Sequence, residues 1–323
     1  MQQPVSPLAL NATTRFELEQ SARSCILEAG NLHPLIARPK GEVGFVAAFV
    51  INAVPAIALE WGSILRPAKI ALRISGVFCH QTPQVTFAPA PGVKQPPCEL
   101  ADLLVVHEHR TSTGVLRQAA LIQAKMTRAG ILGLRKSDTQ LDLYTRWPSF
   151  HFVPAGYDRR ARSFGTPSGG RYGLIWPWAV GLPLRRLWAI IPPTNVAHHL
   201  RGMDLSRFLV GMLRFAPGPY GRPAQPGASD DWSFTIDELL RKLALAEFTH
   251  AATLGRGVPY ARHVAGLLHW NELTHVTAID RHKNIYRTAS VGGASPPPEM
   301  PEFVGGPPEG VSAVLMETRQ LDD

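Results

Sequence analysis

Two neighbouring apolar runs, with a few polar side chains set inside them, constrain this chain more than any other feature. Cys98 to Thr127 reads C-E-L-A-D-L-L-V-V-H-E-H-R-T-S-T-G-V-L-R-Q-A-A-L-I-Q-A-K-M-T. The first run, Leu100 to Val106, is interrupted only by Asp102. The polar stretch His109 to Gly114 follows, and a second run, Ala119 to Ile122, closes on Gln123-Ala124-Lys125. The pattern predicts two strands joined by a turn. Side chains alternate faces along a strand, so Gln123 and Lys125 project to the same side. Elsewhere both faces of both strands are apolar, as in interior strands covered on both sides. A carboxylate, an amide and an ammonium group there need a reason, because a buried charge is costly unless it is paired or holds a metal.

Around this hairpin the chain predicts helices alternating with strands. Thr13 to Ala29 reads as a helix with Leu18, Ala22 and Cys25 or Ile26 on one face and Thr13 or Thr14 placed to cap it. A second helix opens near Glu42, whose carboxylate suits a first turn, and Pro55 divides it from a continuation to Leu65. Lys69 to Cys79 fits helix and strand equally. Gln84 to Ala88 reads as a strand, and Pro89 to Pro97, with four prolines, as a surface loop. Ser137 or Asp138 caps a helix carrying Leu141, Leu143, Tyr144 and Trp147, and Phe150 to Val153 is a short strand.

The expected fold class is α/β, with helices on a mixed sheet in the order α-β-β-β-α-β from Glu42 to Pro154. Arg171 to Trp176 and Leu187 to Ile191 add two strands. Leu205 to Phe215, Thr235 to Phe248 and Val258 to Leu273 predict helices. From Ala289 the chain is rich in Pro, Gly and Glu, which predicts an unstructured tail. The expected division is an N-terminal helical segment (1–41), an α/β core (42–194), a mainly helical extension (195–288) and a disordered tail (289–323).

The formal charge of +8 favours an anionic partner, most commonly nucleic acid, although an ordinary basic soluble protein carries the same balance. Three cysteines without a C-x-x-C pair argue against a zinc finger or a disulfide framework and suit a reducing cytoplasm. The acids Glu17, Glu19 and Glu28 argue against a signal peptide. Val43 to Leu59 is apolar, but it spans only 17 residues and contains Asn52 and Pro55, so a buried helix is expected there and no membrane partner.

An acid on one strand, with an oxygen donor and a lysine two residues apart on its neighbour, suits metal-dependent phosphodiester hydrolysis. Mg²⁺ takes hard oxygen ligands and keeps several waters. Asp102, the Gln123 side-chain oxygen and the Ala124 carbonyl can supply the protein share. Lys125 can orient or help deprotonate water and offset phosphate charge.

With Asp102 followed at this distance by Gln123-Ala124-Lys125, the chain resembles the PD-(D/E)XK nuclease superfamily. The nearest subset is typified by Mrr-type restriction endonucleases, in which glutamine replaces the second acid to give Q-x-K. The resemblance covers Glu42 to Pro154, under half the chain. It implies a restriction-endonuclease-like core and a DNA substrate, with Asp102 and Gln123 at Mg²⁺ or Mn²⁺ and Lys125 as the catalytic lysine. It also implies a helix-borne glutamate, for which Glu42 is the choice and Glu60 the rival. Defence against foreign DNA, beside a separately encoded helicase or ATPase, is the biological setting it suggests.

Gln140-Leu141-Asp142-Leu143-Tyr144 is similar to the Q-h-x-x-Y pattern that follows the lysine in RecB-like members. Gln140 and Tyr144 share a helical face, and the resemblance implies that they contact DNA or steady the site. Two departures weigh against activity: Ala101 stands where the family has proline, and Gln123 lacks an acid's charge. A catalytically inactive nucleic-acid-binding or complex-forming subunit is therefore the alternative.

Arg159 and Arg160, with Arg162 and Arg171, lie in a glycine-rich loop placed to follow a phosphate backbone. A solvated basic loop has the same composition. His107 and His109 share a strand face, as in a zinc pair, but no third ligand is evident, and they read as a polar strand end entering the turn. His198-His199 reads as surface. Gly165 to Gly170 lacks the lysine of a phosphate-binding loop and reads as flexible. No G-x-S-x-G elbow is present.

Overall fold

The computed structural model describes residues 8–31, 39, 41–79, 83–127, 129–165, 169–177, 187–216, 218–245, 267–270, 275–280, 285–290 and 311–321. Among them a mixed sheet of eleven strands forms the centre. Its order is β11 (Met203–Asp204), β9 (Trp188–Ile191), β8 (Gly170–Ile175), β5 (Gly114–Met126), β4 (Leu103–Thr111), β16 (Ser312–Gln320) and β1 (Ile70–Val77). Beyond β1 follow β13 (Leu267–Trp270), β14 (His275–Asp280) and β15 (Ile285–Ser290), while β12 (Arg222–Pro223) pairs with β5. β5 runs parallel to β8 and β4 parallel to β16; the other pairings are antiparallel. Two small sheets stand apart, β3 (Cys98–Glu99) with β2 (Gln84–Phe87) and β7 (Phe150–Phe152), and β10 (Val196–His198) with β6 (Ile131–Gly133).

The predicted hairpin is β4 and β5. It pairs Leu103 with Ile122 and continues to Thr111 opposite Gly114, so the turn is shorter than His109 to Gly114. One face of the sheet buries Leu103, Val105, Ala120 and Ile122 under α1 (Ala12–Asn31), α2 (Gly41–Ala48), α3 (Val54–Leu65) and α5 (Leu205–Leu213). The other buries Leu104, Val106, Ala119 and Leu121 with α4 (Thr139–Arg146) and α6 (Asp231–Leu245). Burial on both faces explains the unbroken apolar runs.

Pro55 does not end the second helix. The Val54 N–H reaches the carbonyl of Phe49, five residues back, and Pro55 falls in the first turn of α3, where its missing N–H costs nothing. Among the described residues no helix is long and apolar enough to cross a membrane. Asn11, rather than Thr13 or Thr14, caps α1, its Oδ1 accepting the Thr14 N–H at 2.8 Å. Asp138 caps α4 as expected, accepting the Leu141 N–H at 2.8 Å.

Three larger expectations are corrected. The segments 84–88 and 150–153 do form strands, but they pair with each other outside the main sheet. The strand that returns beside β5 after α4 is β8. The region 195–288 is not a separate, mainly helical extension, because α5 and α6 cover opposite faces of the central sheet. Leu267–Trp270, inside the helix expected at Val258 to Leu273, is strand β13. Residues 311–321 are not a disordered tail: β16 sits inside the sheet between β4 and β1, with Ala313, Val314 and Met316 buried. Residues 291–310 lie outside the described residues, and their prolines and glycines outweighed the apolar run from Val311 to Met316 in the compositional reading.

The last glycines of Gly165 to Gly170 have a packing role, residues 166–168 lying outside the described set. A Cβ on Gly170 would stand 2.5 Å from the Trp147 ring and 2.9 Å from Tyr144. Glycine there lets β8 pass beneath the aromatic side chains of α4 and its C-terminal cap.

Candidate active site

Asp102 immediately precedes β4 and lies across from Gln123, its N–H donating to the Ile122 carbonyl at 3.1 Å. Its Oδ2 accepts the Ala124 N–H at 2.7 Å, and also accepts Gln123 Nε2. The Asp102 carboxylate thus ends the β4–β5 ladder, and the Ala124 contribution is its N–H rather than the carbonyl expected. Gln123 is 1% exposed, and its Oε1 is buried with no hydrogen-bond partner among the described residues. Lys125, two residues on and on the same face, is half-buried, and its Nζ donates to Gln140 Oε1 at 2.6 Å. Gln140 is held there by the first turn of α4.

Glu42 comes from the other side of the sheet, in the first turn of α2, where its Oε1 accepts the Met126 N–H at 2.9 Å. It therefore sits at the end of the strand that carries Gln123 and Lys125. The rival Glu60 is exposed on α3, and its charge acts on the Cys25 thiol of α1. Glu42, Asp102, Gln123, Lys125 and Gln140 come together; Glu60 does not.

The charge balance is uneven. Burial pushes the Asp102 carboxyl up to about 7, and Glu99 adds to the effect. Lys125 opposes it, Glu42 adds further, and the Ala124 hydrogen bond pulls it down. Three carboxylates face one ammonium group. An oxygen donor without a partner beside a carboxylate short of positive charge is what a hard cation such as Mg²⁺ would satisfy, with waters completing its shell. Among the described residues no group of three or more His, Cys, Asp or Glu side chains gathers for a metal. The donor set is therefore lean: Asp102 and Gln123, with Glu42 nearby.

Tyr144 is 1% exposed and offers no surface to a ligand. Its hydroxyl donates to the Leu100 carbonyl at 2.7 Å, and its ring stacks on Tyr172 and packs against Trp147. In the Q-x-x-x-Y pattern, then, Gln140 holds Lys125 and Tyr144 holds the backbone two residues before Asp102. The arginines of the loop are dispersed. Arg159 is exposed, while Arg160 pairs with Asp231 at 3.3 Å and lies over the Phe234 ring of α6. Arg162 is fully buried in an ion pair with Glu238, and Arg171 donates to the Pro219 carbonyl at 3.0 Å.

Glu99 and Tyr172 were missed by sequence reasoning. Glu99 lies three residues before Asp102, and an acid opening an apolar run was its visible signal. Tyr172 pairs with Gln123 in register across β5 and β8 and is fully buried, its hydroxyl without a partner. No local pattern marks it, because only the sheet order brings it there.

His107 and His109 are not a strand end. His107 is bonded through Nδ1 to the Met212 carbonyl (3.0 Å) and through Nε2 to Thr318 Oγ1 (2.8 Å), while His109 Nδ1 meets the same hydroxyl at 2.9 Å. Burial, reinforced by His109, pushes His107 down to about 3, so it is a neutral core residue. His199 is also buried, packed edge-on against Trp176, contrary to the surface position expected.

No family model, no curated protein and no solved structure matches the chain.

Proposed function

We propose that the protein is a Mg²⁺- or Mn²⁺-dependent nuclease that hydrolyses DNA phosphodiester bonds in the cytoplasm, in defence against foreign DNA. The observation that carries this reading is the convergence of Asp102, Gln123, Lys125, Gln140 and Glu42 at one end of an interior hairpin. A restriction-endonuclease-like core is supported by the succession α3, β1, β4, β5, α4, β8, with β5 parallel to β8. The insertion of β16 between β1 and β4 departs from a simple meander.

Asp102 and Gln123 would hold the cation, which when bound supplies Lewis acidity and polarises a water. Lys125, oriented by Gln140, offsets charge on the scissile phosphate as an ammonium group and orients the attacking water through its N–H donors. Glu42 orients that water from the opposite side. A separately encoded helicase or ATPase is the expected partner.

One observation favours a second reading. Asp102 Oδ2 accepts both Gln123 Nε2 and the Ala124 N–H, which engages one carboxylate oxygen within the chain, as expected of a binding subunit that kept the fold and lost the reaction. Incubating purified protein with supercoiled plasmid and Mg²⁺ or Mn²⁺ separates the two. Nuclease action gives nicked or linear product, and Lys125→Ala or Asp102→Ala lowers the rate on the order of 10³-fold. Salt-sensitive DNA binding without turnover in either metal supports the second reading. Cleavage unchanged in both variants rules out the assigned site.

A further inference from the structure

A second charged cleft opens at the far end of the same hairpin. β4 runs away from Asp102, and Arg110 lies eight residues along it, roughly 26 Å away at the usual rise of a strand. There Arg73 of β1, Arg110 of β4, and Glu317 and Arg319 of β16 line a cavity of about 430 Å³. Strand register brings them together: Arg73 stands opposite Glu317, and Arg319 opposite Arg110.

Among the described residues, the acids near this cleft are already engaged. Glu317 receives Arg73 on Oε2 and Arg110 at 3.5 Å on Oε1. Glu108, which accepts Arg110 at 3.0 Å, is also held by Arg117 at 2.7 Å, and Arg117 in turn reaches Asp237. Arg319 faces another arginine across the strand pair and forms no ion pair among the described residues. Like charges placed opposite one another are unfavourable. Four guanidinium groups therefore meet three carboxylates, and the surplus charge belongs to Arg319, which is exposed. The Arg73 and Arg110 side chains are 51% and 55% exposed, so their remaining donors can be reached from solvent.

We propose that this cleft binds the phosphate group of a phosphorylated small molecule or of a nucleic-acid end, through Arg73, Arg110 and Arg319. Guanidinium forks match phosphate oxygens in pairs, and a dianion balances a surplus that the described residues leave uncompensated. The volume falls within the range of small-molecule sites and exceeds what a bare phosphate fills. Glu317 is the internal competitor: it occupies Arg73 and Arg110 until the ligand displaces it. The site is independent of Asp102 and of any cleavage.

Calorimetric titration of the full-length protein tests this with two probes, inorganic pyrophosphate and a short oligonucleotide carrying either a 5′-phosphate or a 5′-hydroxyl. At least one phosphorylated probe is expected to bind. Arg319→Ala, an exposed substitution, weakens it about tenfold, and Glu317→Gln, which keeps the shape and removes the competing charge, tightens it several-fold. Asp102→Ala leaves it unchanged. Preference for the 5′-phosphate over the 5′-hydroxyl identifies a nucleic-acid end as the source, and pyrophosphate binding alone identifies a small phosphorylated ligand. Failure of both probes to bind overturns the proposal. So does affinity unaltered in both Arg319→Ala and Glu317→Gln, with folding of each checked by circular dichroism.

Discussion

The two ends of the β4–β5 hairpin bury polar side chains in the same apolar sheet and treat them in opposite ways. At the Glu108 end the buried polar groups are paired: Arg117 bridges Glu108 and Asp237, and His107 and His109 share the Thr318 hydroxyl. At the Asp102 end the Gln123 oxygen has no partner, and Asp102 shares its surroundings with Glu99 and Glu42 against one lysine. Buried polar groups left short of partners cost stability, on the order of 1–3 kcal/mol each, and such a cost persists where it serves a ligand. The comparison sets a buried network that serves the fold apart from the end at which we propose that a cation binds. At the strand ends beyond that network Arg319 is the surplus charge among the described residues, so the two ends also differ in sign: one is short of a cation and the other of an anion.

The largest expected effect lies at the paired end. Arg117→Ala leaves Glu108 with Arg110 as its remaining partner, takes the ion-pair partner of Asp237, and lowers stability by about 3–5 kcal/mol, read from the urea midpoint. A loss under 1 kcal/mol would mean that this network is not structural and would break the comparison.

The unpaired end should respond with the opposite sign. Asp102 in the folded protein titrates near 7, against an ordinary value of 3.8. Between these limits the folded state holds a proton that the unfolded chain has lost. The contribution of Asp102 to the stability of the metal-free protein is therefore greatest below about pH 4, falls as the pH rises to about 7, and is level above that, opposite in slope to the contributions of Asp142 and Asp230, whose carboxyls are held below the ordinary value. Asp102→Asn flattens the profile and makes the metal-free protein more stable at pH 8 by an amount on the order of a few kcal/mol. Denaturant melts of both proteins across this range check the sign; a stability difference that moves in favour of the wild type over Asp102→Asn from pH 4 to 7 contradicts it.

The smallest effect is at Tyr144. Removing the hydroxyl in Tyr144→Phe frees the Leu100 carbonyl and costs about 1 kcal/mol. If that contact only supports the core, cleavage per folded molecule is unchanged. If it fixes the segment leading to Asp102, cleavage falls several-fold at constant KM.

Much of the site was legible because it is local in two respects. The hairpin follows from apolar runs and a short polar turn, and the pairing of Asp102 with Gln123 follows from where those runs begin and end. Asp138 was readable as a cap, and from it came the helix that presents Gln140. Arg162 and His199 were misread as surface residues, because nothing in a loop's composition tells that a guanidinium will meet Glu238 or that an imidazole will lie against Trp176. The same applies to His107, whose partners Met212 and Thr318 lie on elements far along the chain.

By itself the sequence determined the α/β class, the central hairpin and the one strand face shared by Gln123 and Lys125, since alternation and capping act within a few residues. Only the tertiary structure decided that β16 enters the sheet between β4 and β1, that β8 rather than β7 lies beside β5, and that Glu42 rather than Glu60 reaches the site. Those choices depend on which distant backbone groups find each other and on which face each helix can bury. That is a competition among long-range pairings, and no short window of sequence contains it.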